Sequence, residues 1–288
     1  MPEANPEGSE AASSAALSGG MPPDLLVRIL INAEALDTIV VGGQALNLWG
    51  EHYFNRAADE LRNHTPFQSK DIDFHGNAGA AAELARLLGG DLRIPSRDDM
   101  VTPNSAAVDV RLRGRDYTID FLRSVAGLDI TTMRERAQTL AVPLPSNTSE
   151  PRHTEVRLLH PIDVLLSRIA GVTVLRRDEP SALRQLAAAP IILREFIVEL
   201  LEIGDTDSLA EAQNAARVFI DIGASPHNDS IMARHGIDIL THAAKLAEHP
   251  AWDPRFAEFQ IRRACAAAMA KRDRRLAEAS RRSSHHGR

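Results

Sequence analysis

The hydrophobic pattern changes part-way along the chain, and this change limits the folds that the sequence can adopt. In the first half, short apolar runs are β-branched or alternate with polar residues, as in Thr38–Val41, Asp71–Phe74 and Tyr117–Leu122. Beyond residue 160, apolar residues recur at helical spacing. We therefore predict an α+β fold, with a small mixed β-sheet flanked by helices in the first half and an all-α second half.

Glycines mark the ends of several predicted elements. Gly42-Gly43 separates the first strand from a helix that begins at Gln44, and Gly89-Gly90 ends a helix over 78–88. Gly114 supplies the turn of a hairpin between Val108–Leu112 and Tyr117–Leu122. In the second half, a helix begins at His160-Pro161, and further helices are predicted over 191–203, 208–222, 229–247 and 255–279.

The chain has 288 residues, which is enough for one large domain or two modest ones. The internal linker candidate is the stretch from Pro143 to Pro151, which is rich in proline and serine. We predict a disordered leader over 1–21, a first domain over 22–150, a helical domain over 151–279 and a basic tail over 280–288.

Composition excludes several classes of protein. A single cysteine, Cys265, excludes an internal disulfide framework and a thiolate-rich zinc site, and it fits a reducing compartment. The first residues lack the basic start and apolar run of a secretory signal. No apolar run is long enough to cross a membrane. We therefore expect a cytoplasmic protein without a membrane partner.

Charge is distributed unevenly between the body of the chain and its end. The net charge is −6, yet the segment 271–288 contains seven Lys and Arg residues and two acidic residues. This segment is either a solvated helix end or an arm that contacts RNA or another polyanion. The sequence leaves both interpretations open.

The Gly42-Gly43 pair is the first candidate binding feature. Glycines between a strand and a helix let the backbone approach a ligand closely. The N-terminus of the following helix presents free N–H groups and the positive end of its dipole to a phosphate. The pair matches neither the G-x-G-x-x-G dinucleotide motif nor a Walker loop.

Asp71 and Asp73 are the second feature, because residues two apart on a strand share one face. Their carboxylates would lie about 7 Å apart along the strand and could hold hard cations between them. Asp120 is the third feature, on the face opposite Ile119 and Phe121. Three converging carboxylates repel one another unless cations neutralise them, so we predict a metal site at Asp71, Asp73 and Asp120.

These motifs together resemble the polymerase-beta-type nucleotidyltransferase superfamily. The resemblance rests on Val40–Leu46, on Ser69–Phe74 with its Asp-x-Asp pair, and on Ile119–Phe121. The nearest group is the AbiEii-like toxin nucleotidyltransferases of bacteria and archaea. His160–Leu165 and Ser167–Ala170 are similar to the start of the helical domain that follows in these relatives. The resemblance implies a nucleotidyltransferase fold over the first domain.

The resemblance also implies an activity and roles for individual residues. The activity is transfer of a nucleoside monophosphate from an NTP to a hydroxyl acceptor, with two Mg²⁺ ions and release of pyrophosphate. Gly42 and Gly43 would hold the β- and γ-phosphates. The implied metal ligands and catalytic residues are Asp71, Asp73 and Asp120, and further nucleotide-binding residues are Ser69, Lys70 and Arg168.

Several functions remain open at this point. The acceptor is expected to be RNA, such as tRNA, or a protein, and the chain would then be a toxin of a toxin–antitoxin or phage-defence pair with a cognate antitoxin. One alternative is a nucleotide-binding regulatory protein without turnover. Another is a nucleotidyltransferase for a small molecule such as an antibiotic, whose cationic members suit the acidic body of the chain.

Overall fold

The computed structural model describes residues 20–67, 71–96, 102–144 and 152–286. It is a mixed α+β fold, which confirms the predicted class. In the described residues, seven strands form one sheet in the order β3-β4-β5-β2-β1-β7-β6. The β2·β5 and β1·β7 pairs are parallel and the remaining pairs are antiparallel, so the sheet is mixed.

The first half contains most of the sheet and the helices that flank it. Its elements are α1 (Pro23–Ala33), β1 (Ile39–Val41), α2 (Gly42–Tyr53), α3 (Ala58–Leu61) with a 3₁₀ turn (Arg62–His64), β2 (Ile72–His75), α4 (Ala78–Leu88), β3 (Asp91–Arg93), β4 (Asn104–Leu112), β5 (Arg115–Leu122) and α5 (Ile130–Arg136). The predicted helix over 78–88 and the predicted hairpin are confirmed, with Gly89 and Gly114 at positive φ of 67° and 77°.

The sheet continues past the predicted domain boundary at residue 150. Strands β6 (Gln138–Leu144) and β7 (Arg152–Leu158), which the sequence did not predict, pair with each other across the linker candidate. β7 also pairs with β1 through Val40 and Leu158. The sheet therefore includes residues on both sides of 150, and the helical part begins at Pro161.

The second half is helical, as predicted, but two helix boundaries differ. Its elements are α6 (Pro161–Thr173), α7 (Pro180–Ile203), α8 (Thr206–Gly223), α9 (Pro226–His235), α10 (Ile239–Lys245) with a 3₁₀ turn (Leu246–Glu248), a π-helix (Phe256–Arg262) and α11 (Arg263–His286). The single helix predicted over 229–247 is wrong, because Gly236 adopts a φ of 70° and ends α9 there. The α7 helix starts at Pro180, well before the predicted residue 191.

One continuous core joins the sheet to the helical half. Ile72 and Phe74 of β2 and Ile119 and Phe121 of β5 are buried on one face of the sheet. The Phe74 and Phe121 rings stack with their centroids 5.5 Å apart. Because the apolar side chains take this face, the alternate residues of both strands are left for the other face. Among the described residues, no helix is both long and apolar enough to span a bilayer.

The predicted tails fall partly outside the described residues. The leader predicted over 1–21 lies outside them as far as residue 19, and residues 287–288 lie outside them at the other end. The segment predicted as a basic tail over 280–288 is helical as far as His286, as the last part of α11.

Candidate active site

The turn between β1 and α2 is the first element of the site. Gly42 has a φ of 67°, which only glycine adopts without strain, and a Cβ at this position would overlap the Asp73 carboxylate. The N-cap residue of α2 is Val41, which makes no capping hydrogen bond through its side chain. The turn therefore places the N-terminus of α2 directly against the acidic side chain of Asp73 on the neighbouring strand.

Asp73 and Asp120 lie side by side at the centre of the sheet. β2 and β5 run parallel with Asp73 opposite Asp120 in the register, so both side chains project from the same face. Asn104 of β4 donates from Nδ2 to Asp120 Oδ1 at 2.8 Å, which orients this carboxylate. Asp71 is exposed and comes just before β2.

Ionisation of the site carboxylates is made less favourable by burial and by their mutual repulsion. Burial raises the pKa of Asp73 from 3.8 to about 6, and the negative charges of Asp120 and Asp71 add to this effect. Burial also raises the pKa of Asp120, and the charge of Asp71 is the next cause. All three acids are therefore close enough to interact electrostatically, and their arrangement favours a bound cation.

Two arginines of the helical half face these acids. Arg168 of α6 and Arg177 of the following loop line the same cavity as Gly42, Asp73 and Asp120. Burial, together with the charge of Arg177, lowers the pKa of Arg168 to about 10. Within the described part of the chain, Arg168 Nε is buried and has no hydrogen-bond partner.

The loop that carries Arg177 ends α6 in an unusual conformation. Arg176 has a φ of 55°, in the left-handed region that glycine usually occupies. The N–H of Arg177 donates to the Gly171 carbonyl at 3.0 Å, so the loop closes back onto the last turns of α6. This closure turns the chain at the end of the helix and fixes the backbone of Arg177 beside the cavity.

The acids and the arginines share one cavity without pairing. Its volume is about 350 Å³, and its remaining lining includes the apolar side chains Leu122, Val125, Val172 and Leu175. The positive charges of Arg168 and Arg177 offset part of the rise in the pKa of Asp73. These arginines and the Asp73 carboxylate therefore interact across the cavity. Neither arginine forms an ion pair with any of the described residues. Opposite charges thus face each other across a space of ligand size.

The carboxylate oxygens of Asp73 and Asp120 are of the ligand type that Mg²⁺ prefers. Within the described residues, no group of three or more His, Cys, Asp or Glu side chains is arranged to hold a metal ion. Mg²⁺ is usually held by one or two carboxylates, with water and substrate phosphates completing its shell. The paired carboxylates of Asp73 and Asp120 match this pattern. Joint binding by Asp71, Asp73 and Asp120 stays a prediction.

The structure brings together some of the predicted site residues and adds others. Gly42, Asp73, Asp120 and Arg168 line the cavity, and Gly43 is the next residue of α2 after Gly42. Ser69 and Lys70, predicted to bind the nucleotide, lie outside the described residues. The sequence did not predict two further polar residues near the site, Asn104 and Gln185. Arg177 also lines the cavity, and the Arg176-Arg177 pair indicated a phosphate-binding charge at this end of α6 in the sequence.

Comparisons with known proteins add no family assignment. No protein-family model matches the chain. No curated protein and no solved structure shows a significant match to it either.

Proposed function

We propose that this protein is a Mg²⁺-dependent nucleotidyltransferase with a nucleotidyltransferase fold in its sheet-bearing half. The reaction moves a nucleoside monophosphate from an NTP to a hydroxyl of RNA or protein and releases pyrophosphate. The observation that carries this proposal is the cavity in which carboxylates and arginines face each other without forming ion pairs among the described residues. A metal–triphosphate complex has both signs of charge and would satisfy both sides at once.

The arrangement supports specific roles for the residues. Asp73 and Asp120 would hold Mg²⁺, with Asp71 contributing from the start of the strand. When bound, Mg²⁺ would neutralise charge on the transferring phosphate and align it. Arg168 and Arg177 would neutralise the phosphates that leave, and the N-terminus of α2 would bind phosphate oxygens through its backbone. Leu122, Val125 and Leu175 would exclude water from the nucleoside.

The chemical step needs little beyond positioning. The acceptor oxygen attacks the α-phosphorus, the bond to the β-phosphate oxygen breaks, and pyrophosphate leaves with the electron pair while the hydroxyl proton passes to solvent. Asp120 is held in orientation by Asn104, so it can polarise the hydroxyl from a fixed position. This chemistry would suit a toxin that modifies tRNA, and a cognate antitoxin would then be its partner.

The test is a transfer assay on fractionated acceptors. The wild-type chain is incubated with each α-labelled NTP, Mg²⁺ and separate cellular fractions of RNA, protein and small metabolites. We expect label in one macromolecular fraction and none with the Asp71→Ala/Asp73→Ala double variant. Label in the metabolite fraction alone would indicate a small-molecule nucleotidyltransferase. Binding of NTP without label in any fraction would indicate a regulatory protein.

A further inference from the structure

Gln185 of α7 lies between two of the proposed phosphate-binding groups and contacts both. Its Oε1 accepts a hydrogen bond from Arg168 Nη1 at 2.8 Å. On the other side, its Nε2 lies 2.8 Å from the position that a Cβ on Gly43 would occupy. One side chain therefore joins the arginine of α6 to the first turn of α2, across the boundary between the sheet-bearing half and the helical half.

The position of Gln185 is set by packing. Leu186 and Ala188 beside it are fully buried, and α7 packs on both α6 and α2. Because Oε1 is used by Arg168, the donor end of the amide faces the glycine turn. The amide protons therefore point toward the same region as the backbone N–H groups at the start of α2.

Arg168 has one buried nitrogen, Nε, without a partner among the described residues, and its Nη1 is held by Gln185. A convergence of guanidinium, amide and helix N-terminus, with a buried donor left unpaired, is the chemistry of an anion site. A Cβ on Gly43 would lie 2.8 Å from Gln185 Nε2, so in the native chain the amide lies close to the glycine backbone.

We propose that Gln185 is a positioning residue for the pyrophosphate part of the substrate. It holds the Arg168 guanidinium in place through Oε1 and turns its own Nε2 toward the phosphate oxygens at the glycine turn. This inference rests on the proposed function, because it assigns a pyrophosphate subsite beside the cavity of the acids, to which Gln185 is joined through Arg168. It adds a residue of the helical half that neither the acids nor the glycines indicate.

A change of charge separates this role from a structural one. Gln185→Glu keeps the shape of the side chain and the acceptor for Arg168, but it loses a donor and adds a negative charge. If Gln185 only braces Arg168, glutamate serves at least as well, since it forms an ion pair with the arginine. If Gln185 faces pyrophosphate, glutamate is worse than alanine because it repels the anion and neutralises Arg168.

The experiment measures binding of inorganic pyrophosphate to the full chain by calorimetry, with and without Mg²⁺. We expect Gln185→Ala to weaken binding by about tenfold and Gln185→Glu by about a hundredfold, by loss of hydrogen bonds and then of charge balance. Gln260→Glu makes the same charge change at an exposed position on the π-helix and should leave binding unchanged. Thermal unfolding of each variant checks its fold.

A double-mutant cycle with Arg168→Met shows whether Gln185 acts through the arginine. In that background, Gln185→Ala should weaken pyrophosphate binding by clearly less than tenfold, because the bond that it removes is already absent. Because this cycle does not use Gln185→Glu, it remains valid if that variant lowers the melting temperature.

The outcomes distinguish this inference from the proposed function. Equal binding by wild type and both Gln185 variants, tighter binding by Gln185→Glu than by Gln185→Ala, or no pyrophosphate binding by wild type would each overturn the role of Gln185. Pyrophosphate binding with the expected order of variants, but no transfer from any NTP, would instead overturn the proposed activity and leave the anion site standing.

Discussion

Two regions of the protein differ in how their buried charged side chains are paired. Where α3, α7 and α10 meet, the buried guanidinium of Arg194 bonds to Glu60 at 2.8 Å and to Glu195 at 2.7 Å, and Lys245 reaches Glu60 at 2.9 Å. In the cavity beside α2, Asp73 and Arg168 face each other without an ion pair among the described residues. In the first region Arg194 and Glu60 are paired within the folded chain, whereas in the second the charges form no ion pair among the described residues.

The pKa directions express the same contrast. Hydrogen bonds from Arg194 lower the pKa of Glu60 to about 2, so folding favours its charged form. Burial and neighbouring carboxylates raise the pKa of Asp73 to about 6, so folding disfavours its charged form. Paired charges therefore support the fold at neutral pH, and the unpaired ones oppose it, as is common at functional sites.

The largest expected effect is on turnover. Asp73→Asn should lower the rate of nucleotide transfer by about 10⁴-fold, or roughly 5.5 kcal/mol of transition-state stabilisation, because it removes a charged metal ligand. Steady-state kinetics with the best NTP measures this loss. Asp116→Asn removes an exposed carboxylate of β5 and serves as the control, with a rate near wild type. Equal losses of transfer rate in Asp73→Asn and Asp116→Asn would contradict a specific role for Asp73.

The second prediction concerns the paired region. Arg194→Met should lower the free energy of unfolding by roughly 3–5 kcal/mol, because Glu195 and Glu60 lose their shared partner. Urea unfolding measures the change, while transfer activity per folded molecule should stay near wild type. Arg262→Met breaks an exposed ion pair with Glu258 and should change stability by less than about 1 kcal/mol. A small effect of Arg194→Met would contradict a structural role for the network.

The third prediction is a stability gain that depends on pH. The pKa of Asp73 rises on folding from 3.8 to about 6, so its contribution to stability is lost as pH rises through this range. Without divalent metal, Asp73→Asn should therefore match wild type near pH 4 and exceed it at pH 7 by about 3 kcal/mol at most. Urea unfolding at both pH values, in the presence of a chelator, measures the difference.

The opposite sign is expected in the paired region. Because folding lowers the pKa of Glu60, its contribution is present at neutral pH and is lost as pH falls below about 4.5 toward 2. Glu60→Gln should therefore destabilise the protein at pH 7 and have a smaller effect at low pH. If Asp73→Asn destabilised at pH 7 as well, the distinction between the two regions would fail.

The smallest expected effect is at the arginine of the cavity. Arg168→Met should weaken binding of the Mg²⁺–NTP complex by about 10- to 30-fold, or roughly 1.4–2 kcal/mol. It should not lower the free energy of unfolding, because burial already disfavours the charged form of Arg168, although the hydrogen bond to Gln185 is lost. Arg168→Lys keeps the charge and should lose less affinity. A loss of stability comparable to that of Arg194→Met would assign Arg168 to the scaffold.

Local chemistry was enough to predict the elements that carry the acids and the glycine turn. The β-branched run before Gly42 predicted β1, the alternation around Asp73 predicted β2, and Gly114 predicted the hairpin that carries Asp120. The break at Gly236 was missed, since helical periodicity continues on both sides of it and only its φ of 70° separates α9 from α10.

Strands β6 and β7 show why the predicted boundary at residue 150 falls within the sheet. Polar and apolar residues alternate only weakly in β6 and β7, so the strand pattern is faint. The proline-rich stretch between them is typical of a linker. β7 becomes a strand because β1 offers it a parallel edge, with Val40 opposite Leu158. Pairing partners distant in sequence are not encoded in a local window.

The sequence by itself determined which residue types could form the site. Period-two alternation sends Asp73 and Asp120 to the face opposite the buried phenylalanines, and glycine alone tolerates the turn at residue 42. Only the tertiary structure decided that Arg168 and Arg177 face those acids and that Gln185 contacts Arg168. The packing of α6 and α7 against α2 and the sheet brings them there, and such packing depends on contacts between residues more than a hundred positions apart.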